Sequence, residues 1–200
     1  MENIYSNENE TINIKEEEFC QYLKSAERGD SDAQLNLGYC YKKGIGTIKD
    51  EGKAFQWYLK SAEEGNHIGQ DSLGYSEGGN SKGQLNLGYC YRNGIGTIKD
   101  EGKAFHWYLK SAEGGNHIGQ SNLGNCYRDG IGTIKDERKV FHWYLKSAEG
   151  GNHFGQNNLG YCYLKEIGII KDEGKAFQWY LKSAEGGNHI GQSNLGNCYR

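Results

Sequence analysis

Five of the six cysteines sit at one repeated place, three residues after a Leu that precedes a Gly: Cys40, Cys90, Cys126, Cys162 and Cys198. Cys20 lies outside that register. A thiol can attack a carbonyl, ligate zinc or form a disulfide. No CxxC pair is present to begin a zinc site. A disulfide needs Cα atoms within about 7 Å. Packed helices lie roughly 8–10 Å apart, and equivalent positions in successive repeats lie farther still. These cysteines therefore read as buried free thiols. The histidines form a similar ladder: His67, His117, His153 and His189 recur just inside one helix start, and His106 and His142 replace Gln56 and Gln178 on another. Single imidazoles a repeat apart cannot close a coordination shell with bonds of about 2 Å. They read as solvated surface groups.

The turn GIGTIKDEGK (Gly44–Lys53) resembles a phosphate loop only loosely. Such a loop needs four residues between its glycines, then Lys and Ser or Thr, after a strand. Here five residues separate Gly46 from Gly52, and Ala54 follows Lys53. No Ser-His-Asp or Cys-His arrangement stands apart from the repetition. Each candidate nucleophile has several equivalents, which argues against a single active site. The net charge of −3 gives no basic stripe for nucleic acid. No apolar run approaches the roughly 18 residues of a membrane span. The N-terminus lacks the basic and apolar regions of a secretory signal, so the expected compartment is the cytoplasm. No cofactor or metal is expected.

The elements behind these ladders follow from one unit, Gly115–Gly150. Leu37, Leu73, Leu87, Leu123, Leu159 and Leu195 each precede a glycine, at spacings of 36, 14, 36, 36 and 36. A fixed period of this size marks a helical solenoid. Each unit reads as two helices. Helix A spans about 116–128, with Asn116 as N-cap and Asp30 in the same place in the first copy. Gly119, Leu123, Cys126 and Tyr127 share one face of it. Gly130 ends it in the left-handed conformation. After Ile131–Ile134, Asp136 caps helix B, about 137–149. In the copy at 100–113, Ala104, Trp107, Tyr108, Ser111 and Ala112 form its main apolar face. An arc that wide calls for cover on two sides, by its own A and by the next. A glycine recurs inside helix A at 69, 83, 119, 155 and 191, where Gly costs about 1 kcal/mol against Ala. Close helix approach and recent duplication both account for it.

The register breaks once, where one spacing falls 22 residues short of the period. The expected organisation is a disordered polar tail at 1–15, a first helical block at 16–64, a truncated hybrid unit at 65–80 and a second block at 81–200. If the hybrid is a helix, every later repeat is inverted; if it fails to span the layer, the following A resumes its direction. Either way stacking is expected to be weakest near 65–82. Glu166 stands where Gly44, Gly94 and Gly130 end helix A, and is expected to be strained there. The chain ends inside a unit at Arg200, which reads as a fragment.

The stretch LGYCYRNGIGTIKDEGKAFHWYLKSAEGGN (Leu87–Asn116) closely resembles the Sel-one-like repeat, a branch of the tetratricopeptide-like superfamily. The matching residues are Leu87-Gly88, Tyr91, Gly94, Gly96, Asp100, Lys103-Ala104, Trp107-Tyr108, Ala112-Glu113 and Gly115, and the resemblance covers nearly all of 16–200. It implies an all-α fold, a right-handed superhelix of antiparallel helix pairs. It also implies a noncatalytic adaptor that assembles protein complexes. The alternative is the docking region of a larger signalling enzyme, such as a protein kinase, whose catalytic domain is outside this chain. A hydrolase role, claimed for a cysteine-rich bacterial branch with two bridged cysteines per repeat, is disfavoured by the missing second cysteine. The departures are Gly for alanine in helix A and Ser111 for the first alanine of an Ala-Ala pair. In the superfamily the A helices line the concave face. On the wheel the positions of Ser121, Asn125 and Arg128 lie opposite the core. The expected partner-binding column is Tyr39, Lys42, Tyr89, Arg92, Asn125, Arg128, Tyr161 and Asn197, suited to an extended acidic peptide of another protein.

Overall fold

The computed structural model describes residues 15–63 and 80–198. Ten helices run through them: α1 (15–26), α2 (Ser31–Lys43), α3 (Glu51–Glu63), α4 (Ser81–Asn93), α5 (Glu101–Glu113), α6 (His117–Asp129), α7 (Glu137–Glu149), α8 (His153–Lys165), α9 (Glu173–Glu185) and α10 (His189–Cys198). No strand occurs among the described residues. Even-numbered helices are of type A and odd-numbered ones of type B. The chain divides into two compact units, Met1–Asp100 and Glu101–Arg200.

The A helices begin and end as their caps dictate. The Asn116 side chain accepts from the Ile118 and Gly119 N–H groups, and Asp30 does the same for Asp32 and Ala33. These bonds satisfy donors that the first turn leaves open. At the far end Gly44, Gly94 and Gly130 are left-handed, and each N–H returns to a cysteine carbonyl. Glu166 takes the same place at φ 61°, the one non-glycine at positive φ among the described residues. The second glycine of the turn answers to a different demand. Gly132 has φ 65°, and a Cβ there would strike the Glu101 carbonyl oxygen. Gly96 meets Glu51 in the same way. The turn therefore rests directly on the start of the preceding B helix.

Two layers of packing fill each joint. Leu37, Leu87, Leu123 and Leu159 are 0% exposed, and Tyr58, Tyr108, Tyr144 and Tyr180 are 1% exposed. Burying such a side chain contributes roughly 1.5–3 kcal/mol. Phe105 meets Tyr127 edge-on at 5.4 Å, and Phe19–Tyr41, Phe55–Tyr91 and Phe141–Tyr163 repeat the geometry. The recurring glycine of helix A has a steric cause. A Cβ at Gly119 or Gly155 would collide with the Ser111 or Ser147 side chain of the preceding B helix. The serine has its own reason: Ser147 Oγ donates to the His117 carbonyl at 2.7 Å, and Ser183 Oγ to that of His153.

The hybrid expected at 65–80 lies almost wholly outside the described residues, as does the tail to residue 14. Its flanks are informative. Asn80 N–H donates to the Ser61 carbonyl at 3.2 Å, as Asn116 does to Ser111 at 3.0 Å and Asn152 to Ser147 at 3.0 Å. Gly83 abuts Ser61 and Ala62 as Gly119 abuts Ser111 and Ala112. Helix α4 thus follows α3 in the regular way and resumes the direction of α2. Measured at this joint, the irregularity is an insertion of 14 residues in a B-to-A connection: Ser61 and Asn80 stand where Ser111 and Asn116 stand five apart.

Candidate functional site: the exposed face of the A helices

In the second unit α6 touches α8, and α8 touches α10. The Asn194 amide donates to Asn157 Oδ1 across the latter pair at 2.9 Å. The A helices therefore form a continuous face there, skipping the B helices between them. One expectation changes as a result. Ser121 was placed opposite the core on the wheel, but it is 5% exposed, and its equivalent Asn157 is 8% exposed. Contact between successive A helices covers that position.

The first unit brings Tyr39, Lys42 and Tyr89 onto α2 and α4. Tyr39 is 50% and Tyr89 43% exposed. Lys42 Nζ lies 4.6 Å from the centre of the Tyr89 ring. The Lys60–Trp57, Lys110–Trp107, Lys146–Trp143 and Lys182–Trp179 stacks recur along the B helices, whereas this one joins two successive A helices. A cation over a ring face is attracted by the ring's quadrupole, about 0.5–1 kcal/mol where exposed. Arg92 is half-buried on α4.

The second unit uses the same positions differently. Tyr144, from α7, donates its hydroxyl to Asn125 Oδ1 at 2.7 Å, and Arg128 Nη1 donates to that hydroxyl at 3.2 Å. Arg128 also grips Asp129 with two bonds of 2.8 and 3.0 Å. That hydrogen bond raises the guanidinium's already high pKa. Asn125 and Arg128 are thus committed to the scaffold, which their sequence positions did not reveal. The missed signal was Tyr144, read only as core. Tyr161 remains 42% exposed, and Asn197 is exposed on α10. In the first unit Tyr39 occupies the place of Asn125, and the buried Tyr58 hydroxyl has no hydrogen-bond partner.

The cysteines are free; Cys40, Cys90, Cys126 and Cys162 are buried, while Cys20 and Cys198 are exposed. Cys198, expected on the core face, is exposed on α10. Burial pushes the Cys90 thiol up to about 11 and the Cys162 thiol to about 12. Thiols held protonated are poor nucleophiles. Among the described residues His117, His153 and His189 of helix A are exposed, yet His117 and His153 also pack against Gly150 and Gly186. Their Nδ1 atoms lie 3.2 and 3.4 Å from Gln120 and Gln156 Oε1. No group of three metal-ligating side chains occurs among the described residues.

Stacked helix pairs, with successive A helices in contact in the second unit, define an α–α superhelical repeat protein. Its units match the model described as Sel1 repeat at residues 31–66, 81–116, 117–152 and 153–188, and the chain belongs to that family. Fourteen residues, 67–80, separate the first two matched units. A Sel1 repeat protein from Oxalobacter formigenes is 35% identical with TM-score 0.78, covering 91% of this chain and 67% of its own. A protective antigen of uropathogenic Escherichia coli with this fold is 33% identical, TM-score 0.77, covering 90% of this chain and 35% of its own. Helicobacter pylori cysteine rich protein B is 26% identical, TM-score 0.54, covering 74% and 96%. The match thus spans about two thirds of the length of the first and one third of the second. No curated protein matches the chain.

Proposed function

We propose that the protein is a noncatalytic adaptor in the cytoplasm that holds an extended acidic segment of another protein on the exposed face of its A helices. Proteins of this family are in general protein-interaction scaffolds. No described helix is long and apolar enough to cross a membrane, and the buried thiols are free. The observation that carries the reading is the exposed Tyr39, Lys42 and Tyr89 group, where a cation and two aromatic faces share one surface. Such a surface offers stacking to side chains and charge to carboxylates. Arg92 extends it on α4. Tyr161 and Asn197 offer stacking and amide bonding in the second unit.

Titration of fluorescein-labelled ten-residue peptides, acidic against charge-reversed, tests this. Acidic peptides should bind with an affinity that falls as salt rises. Lys42→Glu with Arg92→Glu should remove the binding at unchanged Tm, because neither side chain is in the core. Equal binding of both peptide classes, or undiminished binding by the double variant, removes this face as the site.

A further inference from the structure

In the second unit the polar groups behind the A face satisfy one another. The buried Tyr144 hydroxyl donates to Asn125 Oδ1 at 2.7 Å, and Asp129 meets the charge of Arg128 at 2.8 Å. The first unit keeps the donors and replaces both acceptors. Tyr58 stands in the place of Tyr144 and Lys42 in that of Arg128, while Tyr39 replaces Asn125 and Lys43 replaces Asp129. Tyr58 is 1% exposed, and its hydroxyl has no hydrogen-bond partner among the described residues. A buried donor without an acceptor carries its full desolvation cost. Lys42 Nζ lies 4.6 Å from the centre of the Tyr89 ring. A ring face attracts the cation but offers no lone pair to its N–H groups. Lys43 is exposed beside it. Donor and positive charge thus gather at a place where the equivalent site of the second unit holds an amide oxygen and a carboxylate.

We propose that Tyr58 and Lys42 anchor one glutamate side chain of the bound acidic segment, so that the partner supplies the acceptors that Asn125 and Asp129 supply in the second unit. This rests on the acidic-segment reading of the A face. A carboxylate fits both needs at once. It only accepts, and its two oxygens take the Tyr58 hydroxyl on one and the Lys42 ammonium on the other. Its charge opposes that of Lys42 and Lys43, and hydrogen bonds to an ionised group are the stronger kind. A neutral amide would satisfy the hydroxyl and leave both lysine charges unmatched. Lys42, on its flexible four-carbon stem, turns from the Tyr89 ring to the anchor, as Arg128 reaches the Tyr144 hydroxyl at 3.2 Å. Glutamate is chosen over aspartate by depth. The Tyr58 hydroxyl is buried, whereas Tyr39 and Tyr89 are about half exposed, so the longer side chain reaches it. One fixed glutamate would set the register of the segment along α2 and α4.

A double-mutant cycle tests the anchor. A fluorescein-labelled ten-residue peptide of serine and glycine with three glutamates is titrated into the unaltered protein and into Tyr58→Phe. Companion peptides replace each glutamate in turn by alanine or by aspartate. The unaltered peptide should bind Tyr58→Phe about tenfold more weakly, at equal or higher Tm. Replacement of one particular glutamate by alanine should weaken binding to the unaltered protein by about tenfold or more, and to Tyr58→Phe by no more than about threefold. Aspartate at that position should behave like alanine. Equal binding by Tyr58→Phe, the same alanine loss in both proteins, or an aspartate peptide as tight as the original would each overturn the anchor while leaving the acidic-segment reading in place. No binding of any acidic peptide to the unaltered protein would overturn both.

Discussion

Two tyrosines at one repeat position have opposite accounts at their hydroxyls. Tyr144 donates to Asn125 and accepts from Arg128, whereas the Tyr58 hydroxyl is buried without a partner. Removing a satisfied hydrogen bond costs about 1 kcal/mol, while removing an unsatisfied polar atom costs nothing or stabilises. Tyr144→Phe should therefore lower stability by about 1 kcal/mol, and Tyr58→Phe should leave it equal or higher, by urea denaturation. The thiols set a pH limit in the same way. Cys162 is held at about 12 in the fold against 9.0 as its ordinary value. Its folded pKa is raised, so its contribution is intact below about 9 and is lost as pH rises from there toward about 12. Denaturation midpoints should fall over that window, and Cys162→Ser should flatten the fall. Much at this scale was legible in the sequence: the caps Asp30, Asn116 and Asp136 follow from residue type and position. The bond from Tyr144 to Asn125 was not, because it joins two helices whose relative rotation the period alone does not fix.

At the level of elements, each helix ends where a specific residue lets it end. Glu166 is the exception, since it holds at φ 61° a place that glycine holds in its equivalents. A non-glycine in that conformation costs on the order of 1 kcal/mol. Glu166→Gly should raise stability by about that amount, read from the denaturation midpoint at constant m-value. The connection between α3 and α4 was legible as an irregularity but not as an insertion. Sequence counting shows a shortfall against the period; only the Ser61–Asn80 bond shows that the joint closes normally around extra chain. Removing residues 66–79 joins Gly65 to Asn80 and restores the five-residue spacing seen at Ser111–Asn116. Each doubling of a connecting loop costs about 0.6 kcal/mol, so shortening this one should stabilise by about 1 kcal/mol. A shortened chain that loses its cooperative helical melt by circular dichroism would contradict the joint described here.

For the whole molecule, the repeat dictates where function can reside. A core of Leu, Tyr, Ala and Cys recurs nearly unchanged, so differences between repeats concentrate on the A face: Tyr39 and Lys42 in one, Asn125 and Arg128 in another. The fold class was readable from the period because each unit buries its apolar faces only against its neighbours. The division of labour on that face was not, since Arg128 and Lys42 look alike in sequence yet one is tied to Asp129 and Tyr144 and the other stacks on Tyr89. The most direct test of the adaptor reading is an amide chemical-shift map of the isotopically labelled chain titrated with an acidic ten-residue peptide. The account predicts saturable shifts on the exposed face of α2 and α4, centred on Tyr39, Lys42 and Tyr89. Shifts confined to the B helices, or none at any peptide concentration, would contradict it.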